Sequence, residues 1–288
     1  MSSIWRPIRE REPVRSLMVI VAHPGDEAFG FAGALASAAA AGAYVVVVCV
    51  TRGWFDSRLT DAAPAPGGKN RDVKLGAITW RNLDTVREDE LRRSVALLGV
   101  RVVRMLDYAE GELDRADFDH LVGRIVEPIR MHKPEVILTF GPDGVTGDSD
   151  HAVVSQAVGV AYERAAQPLA YEDDLEEDQV AWRAAKLYHL VVPTTLATDV
   201  LGDRISEGYG SDAPATVDLQ LGEFAQLKLA AISRHVTQSG SSGPFHDWGD
   251  APRDAWLARE HYRLAASALP LPVGSGDFRE SSLFDGLP

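Results

Sequence analysis

One cysteine, Cys49, stands in 288 residues. Without a second thiol no disulfide can close within the chain, and a cysteine-built zinc site is excluded. Cys49 falls inside Val45-Val46-Val47-Val48-Cys49-Val50, a run that reads as a buried strand, where a thiol is a small core residue. Positive charge is also scarce: 29 lysines and arginines face 42 acids, for a net charge of -13. That balance argues against nucleic acid and against an anionic membrane surface as partners. No apolar run is long enough to span a bilayer without a charge or a breaker. The N-terminal charges at Arg6, Arg9, Glu10, Arg11, Glu12 and Arg15 do not look like a secretory signal. A cytoplasmic protein is the expectation.

What is present is strongly patterned. Apolar runs at 16–22, 44–50, 101–107 and 135–140 read as buried strands, and a fifth is expected at 186–193. Helical segments are expected between and after them, at 27–42, 85–98, 117–132, 151–166, 221–236 and 253–267. Thr85-Val86-Arg87-Glu88 has the pattern of a capping box. Alternating strand and helix implies an α/β fold, a Rossmann-like three-layer sandwich with a mostly parallel central sheet. The near-continuous apolar strands fit a sheet covered on both faces. One domain is expected over 1–288, with a lid-like insertion at about 52–83 and an acidic loop at about 171–180.

In open α/β sheets, ligands sit beyond the carboxyl ends of the strands. Two segments combine that position with metal-binding side chains: His23-Pro24-Gly25-Asp26-Glu27 after the first strand, and Gly141 to His151 after the fourth. Either alone also fits a simple helix start, with Asp26 as an N-terminal acid. Together they let His23, Asp26 and His151 meet, and two imidazoles with one carboxylate and an open position make a catalytic zinc site. Another divalent ion such as Fe2+ suits the same donors. No G-x-G-x-x-G loop follows the first strand, so a nucleotide-binding reading is weak.

At these residues the chain resembles the LmbE/PIG-L deacetylase family. The stretches VAHPGDEAFGFAGALA, VCVTRG, REDELRRSVALLGV, ILTFGPDGVTGDSDH and KLAAISRHVTQ carry the likeness, in order, from about residue 16 to 240. The resemblance implies a zinc-dependent hydrolase acting on an N-acetylated amino sugar conjugate, with His23, Asp26 and His151 as metal ligands. It implies that Arg87 contacts the sugar, that Glu110 falls near an acid binding sugar hydroxyls, that His235 lies near the pocket and that Asp150 orients an imidazole. Two positions depart from the pattern. Gly25 stands where the family carries an aspartate base, and Asp148 where it carries a histidine. Trp54 replaces a common glutamate.

The reading that follows is a deacetylase in which the carboxylate has moved, with Asp148 as base. A catalytically silent member that binds metal and a small carbohydrate-like ligand is the alternative. The expected partner is a small molecule, and a homo-oligomer is compatible with the sequence. His120, His132, His189, His246 and His261 lack a metal-like context and are expected to be structural or exposed.

Overall fold

A computed structural model describes residues 14–53, 82–145, 147–171, 180–201, 214–239, 249–270 and 278–288. The core of the expected insertion, the acidic loop, Trp54 and His246 lie outside the described residues.

Five parallel strands form the centre: β1 (Ser16–Val21), β2 (Tyr44–Thr51), β3 (Val102–Tyr108), β4 (Val136–Phe140) and β5 (Lys186–Val191). Two more, β6 (Val217–Gln220) and β7 (Arg259–Ser267), complete a sheet in the order β3-β2-β1-β4-β5-β7-β6. Strand β7 runs antiparallel to β5 and to β6. Every residue of β1 and of β4 is buried, which requires cover on both faces of the sheet. Helices supply it. These are α1 (Asp26–Gly30), α2 (Ala32–Ala40), α3 (Leu83–Leu97), α4 (Phe118–His132), α5 (Ser149–Ala165), α6 (Thr194–Leu201), α7 (Phe224–Ile232), α8 (Val236–Ser239) and α9 (Asp250–Ala258). Helices α4 and α5 pack on each other, while α7 packs against α1, α2 and α3.

Several expected elements change. The helix expected over 27–42 is divided at Phe31, whose φ of -132° is not helical. The capping box at Thr85 is absent: α3 begins two residues earlier, and the Thr85 hydroxyl turns to Asp84 at 3.4 Å. The helix expected over 253–267 ends at Ala258 and continues as β7. Within β7 the buried Glu260 and Tyr262 alternate with exposed Arg259 and Arg263, the period of a strand. Tyr262 is fully buried because its hydroxyl is satisfied by the Gly30 carbonyl at 3.1 Å and Glu260 at 2.7 Å. Among the described residues no helix is long and apolar enough to cross a membrane.

Candidate metal centre

The strand order reverses between β1 and β4, which pair in parallel from Leu17↔Val136 to Val19↔Leu138. A crevice opens at such a switch point, because the connections on its two sides run in opposite directions. The loops leaving both strands meet there.

Beyond β1 the chain turns through His23, Pro24 and Gly25 into α1. The turn is locked by three bonds. The His23 N–H donates to Asp26 Oδ2 at 2.7 Å, the Asp26 N–H to the His23 carbonyl at 3.3 Å, and the Gly25 N–H to Glu27 Oε2 at 2.8 Å. Gly25 is the N-cap residue, with φ 112° and no capping side chain. Beyond β4, Asp148 caps α5, its Oδ1 accepting the N–H groups of Asp150 at 2.8 Å and His151 at 3.4 Å. The loop before that cap is drawn in tightly at Gly144 (φ +68°), where a Cβ would sit 2.7 Å from the Asp148 carbonyl oxygen.

Each imidazole is oriented through one nitrogen. His151 Nδ1 donates to the Gly144 carbonyl at 3.0 Å, and its ring stacks on Phe140 with centroids 4.0 Å apart. A carbonyl can only accept, so the proton is on Nδ1 and Nε2 is left to face the crevice. His23 Nε2 is paired with Asp150 Oδ2 at 3.1 Å, which leaves Nδ1. The two remaining nitrogens converge on one carboxylate: His23 Nδ1 is 3.6 Å from Asp26 Oδ2, and His151 Nε2 is 3.4 Å from Asp26 Oδ1. A nitrogen of each ring and a carboxylate oxygen of Asp148 also lie within 4.8 Å of one another. Two carboxylates therefore flank the imidazole pair. Asp26 is fixed between the rings, and Asp148 has one oxygen committed to the helix cap.

The electrostatics call for positive charge between these groups. Burial pulls the His23 imidazole down, but Asp150, Asp26, Glu110 and Asp148 outweigh it and raise the pKa to about 9. His151 also rises, burial being overcome mainly by Asp26. Burial pushes the Asp26 carboxyl up, and the two histidines more than reverse this, holding it below its ordinary value. A divalent cation supplies the same charge as these protons. Inward-facing imidazole nitrogens, fixed by outer partners, beside a carboxylate are a donor set that suits one. The residues present fit a metal ion.

Around this centre lie the other expected site residues. Asp150 is fully buried and accepts the N–H groups of Gly111 at 2.6 Å and Leu113 at 3.2 Å, so it ties the loop after β3 to His23. Arg87, also buried, donates to the Gly53 carbonyl at 2.6 Å and to Glu110 Oε2 at 2.9 Å. Burial raises the Glu110 carboxyl above its ordinary value, with His23 and Arg87 opposing and Asp26 and Asp148 reinforcing. His235 lies behind the turn, its Nε2 2.6 Å from Glu27 Oε1. Of the remaining histidines, His120 and His132 each pair with a tyrosine hydroxyl, and His261 pairs with Asp218.

Two residues were not singled out by the sequence reading. Glu27 is fully buried and collects His235, the Gly25 N–H and the Ser94 hydroxyl, the last at 2.7 Å. Gln238 places its amide against Gly25. Both sit inside the stretches that carry the family likeness, but the burial of Glu27 and its partner His235 are set by tertiary contact.

Fold and site define a class: a Rossmann-like α/β protein with a histidine–carboxylate centre at the switch point of its sheet. Comparison with known proteins makes this specific. A family model described as PIG-L, GlcNAc-PI de-N-acetylase, matches residues 18–162, from β1 into α5. The chain belongs to the PIG-L family. It is 28% identical over 307 residues to a 1D-myo-inositol 2-acetamido-2-deoxy-alpha-D-glucopyranoside deacetylase of Streptomyces avermitilis, covering 96% of this chain and 98% of that protein. A protein of the same name from Streptomyces griseus is 29% identical over 96% of this chain and 90% of its own length. Among solved structures, N,N'-diacetylchitobiose deacetylase of Pyrococcus horikoshii shares the fold. Its TM-score is 0.65 at 17% identity, over 88% of this chain and 84% of that one. So does GalB, a 4-carboxy-2-hydroxymuconate hydratase of Pseudomonas putida, with TM-score 0.63 at 18% identity, over 90% of this chain and 100% of that one. The fold therefore hosts more than one reaction, and function has to be argued from the site.

Proposed function

We propose that this protein is a metal-dependent N-deacetylase that releases acetate from the acetamido group of a small amino sugar conjugate. The observation that carries the reading is the convergence of His23 Nδ1 and His151 Nε2 on the Asp26 carboxylate, at 3.6 and 3.4 Å, in the crevice at the switch point. Two relatives matched over nearly the whole chain are named as deacetylases of an acetamido sugar joined to inositol, and they supply the substrate class. His23, Asp26 and His151 would hold the ion, Zn2+ in the first instance, with Fe2+ suiting the same donors.

A bound divalent ion polarises the amide carbonyl and lowers the pKa of water to about 7. The chain's own part is positioning and proton transfer. Asp148 holds one oxygen in the α5 cap, and a carboxylate oxygen of the same residue lies within 4.8 Å of a nitrogen of each imidazole. As water adds to the carbonyl carbon, that carboxylate takes its proton. It gives the proton to the amine nitrogen as the C–N bond breaks, so that acetate and a free amine leave. A positioned base of this kind contributes roughly a hundred- to ten-thousand-fold. Gly25 has no group to share in this. Arg87 and Glu110, joined at 2.9 Å, form a polar wall suited to sugar hydroxyls. Asp150 keeps His23 in orientation from behind, and His235 supports the turn through Glu27.

The test is metal analysis of protein purified without added metal, beside His151→Ala, with amine release measured on a panel of N-acetylated amino sugars that includes an inositol conjugate. Stoichiometric metal lost in the variant, together with release from at least one conjugate, is the expected result. Metal bound equally by both proteins, or no release from any conjugate, rejects the reading.

A further inference from the structure

The carbonyl that orients His151 belongs to the peptide joining Gly144 to Val145, and both polar ends of that peptide are engaged. Its oxygen accepts the His151 Nδ1–H at 3.0 Å. Its N–H, on Val145, donates to Asp143 Oδ1 at 3.1 Å. A single peptide therefore separates the Asp143 carboxylate from His151, whose Nε2 lies 3.4 Å from Asp26 Oδ1 in the crevice.

The peptide does not lie this way by backbone preference. Gly144 and Val145 are both left-handed, with φ 68° and 64°. Glycine takes that conformation freely, whereas a β-branched residue is strained in it. Such strain persists only where the surroundings over-determine it, and it gathers at functional sites. Two restraints act on Val145: its side chain is buried in the core, and its N–H is held by Asp143. The turn before it brings the carboxylate within reach. The Gly144 N–H donates to the Gly141 carbonyl at 2.9 Å. A Cβ on Gly141 would lie 2.7 Å from Asp143 Oδ1, so the bare glycine leaves room for the carboxylate to fold back. A carboxylate at the N–H end also polarises the peptide toward its carbonyl oxygen, which strengthens the bond to His151 Nδ1–H.

We propose that Asp143 is a positioning residue for the metal centre: it holds the 144–145 peptide with its carbonyl toward His151, and so keeps that ring protonated on Nδ1 with the Nε2 lone pair turned to the crevice. Asp143 touches neither substrate nor ion and acts through the peptide alone. Outer partners of a ligating histidine fix its tautomer and orientation in this manner. The role rests on the reading of His151 as a metal ligand in the deacetylase proposed above.

The experiment uses the full chain free of metal, with isotope-labelled histidine, as the parent, Asp143→Ala and Asp143→Asn. His151→Ala assigns the ring signals, and NMR spectra are recorded above the titration of the ring, where its tautomer is visible. Zn2+ is then titrated calorimetrically into each protein. Asp143 is exposed, so neither substitution disturbs the core. Asparagine keeps an oxygen for the Val145 N–H, whereas alanine has none. In Asp143→Ala the Nδ1-protonated share of His151 falls, and Zn2+ affinity falls about tenfold, the lower end of the cost of losing an outer partner of a ligating histidine. Asp143→Asn restores the tautomer and brings affinity to within about threefold of the parent. A loss of fold stability alone would leave the tautomer where it was. An unchanged tautomer in Asp143→Ala, or a change in Asp143→Asn as large as in Asp143→Ala, overturns the role of Asp143. A tautomer that shifts while Zn2+ affinity stays unmoved, or a parent that binds no Zn2+, overturns His151 as a ligand, and with it any service of Asp143 to a metal centre.

Discussion

His23 Nε2 lies 3.1 Å from Asp150 Oδ2, and the same oxygen accepts the Gly111 N–H at 2.6 Å. One buried carboxylate thus aims the imidazole and anchors the loop after β3. Asp150→Asn keeps the shape but removes the charge, and its NH2 cannot accept from a backbone N–H. Zn2+ affinity is expected to fall about 10- to 100-fold, the usual effect of losing a carboxylate behind a ligating histidine. Calorimetric titration with Zn2+ checks this, and unchanged affinity would show that Asp150 serves the loop only.

The pH dependence follows from the same pair. In the metal-free protein the His23 pKa is raised to about 9 from an ordinary 6.5, since Asp150 and the nearby acids outweigh burial. A raised basic group binds its proton more tightly folded than unfolded. Its stabilisation is fully present below 6.5 and is lost as pH rises through about 9. Metal-free protein should therefore lose stability to urea between those values. Metal binding runs the opposite way. The ion needs the Nδ1 lone pair, so it displaces a proton, and affinity should climb with pH until about 9 and then level. Calorimetry in two buffers of different ionisation enthalpy measures the protons released. A pH-independent affinity would contradict the assignment of His23 as a ligand.

The central sheet was readable because β1, β2 and β4 are nearly uninterrupted apolar runs, a pattern that burial on both faces imposes. Strand β7 was not. Arg259 to Ser267 follows α9 with no glycine or proline at the junction, and its core contacts rest on Glu260 and Tyr262, one of them an acid that reads as surface. Glu260 is buried because Lys228, at 3.0 Å, and the N–H groups of Gly33 and Ala34, at 2.8 and 2.9 Å, converge on it from elsewhere in the chain. The site divides similarly. Two loops at equivalent strand ends could be paired on paper from the topology of a parallel sheet. Glu27 and Gln238 could not be given roles, because they depend on contacts between α1 and the turn at His235, 208 positions apart. Nothing local predicts such a distance. The helix start open to the Gly141 to His151 segment is realised at Asp148, in keeping with the ordinary preference of aspartate for an N-cap.

Gly144 makes a packing prediction. Its φ of +68° disfavours any side chain, and a Cβ there would approach the Asp148 carbonyl oxygen to 2.7 Å and the Ala152 nitrogen to 3.2 Å. Both neighbours are backbone and cannot swing aside. Gly144→Ala is expected to cost about 1–3 kcal/mol from the backbone alone and to shift the carbonyl that orients His151. Urea unfolding should show the loss, with Zn2+ affinity falling in parallel. A variant that is destabilised yet binds Zn2+ normally would mean that His151 is held by the Phe140 stack without help from the carbonyl.

The helix cap made by Asp148 and the base role proposed for it can be separated. Its Oδ1 caps α5, while a carboxylate oxygen lies within 4.8 Å of a nitrogen of each imidazole, the position from which the proposed base would act. Asparagine caps a helix about as well as aspartate, whereas alanine costs about 0.5–2 kcal/mol. Asparagine is no base. Asp148→Asn should therefore stay within a few tenths of a kcal/mol of the parent in stability while turnover falls about a hundred- to ten-thousand-fold. Asp148→Ala should lose the same turnover and show the additional loss of stability. Should Asp148→Asn keep its turnover while Asp148→Ala loses only stability, Asp148 is a helix cap and the proton passes through another group. Glu110 is then the acid to test next, since burial already raises its pKa and it lies close enough to feel the charge of His23.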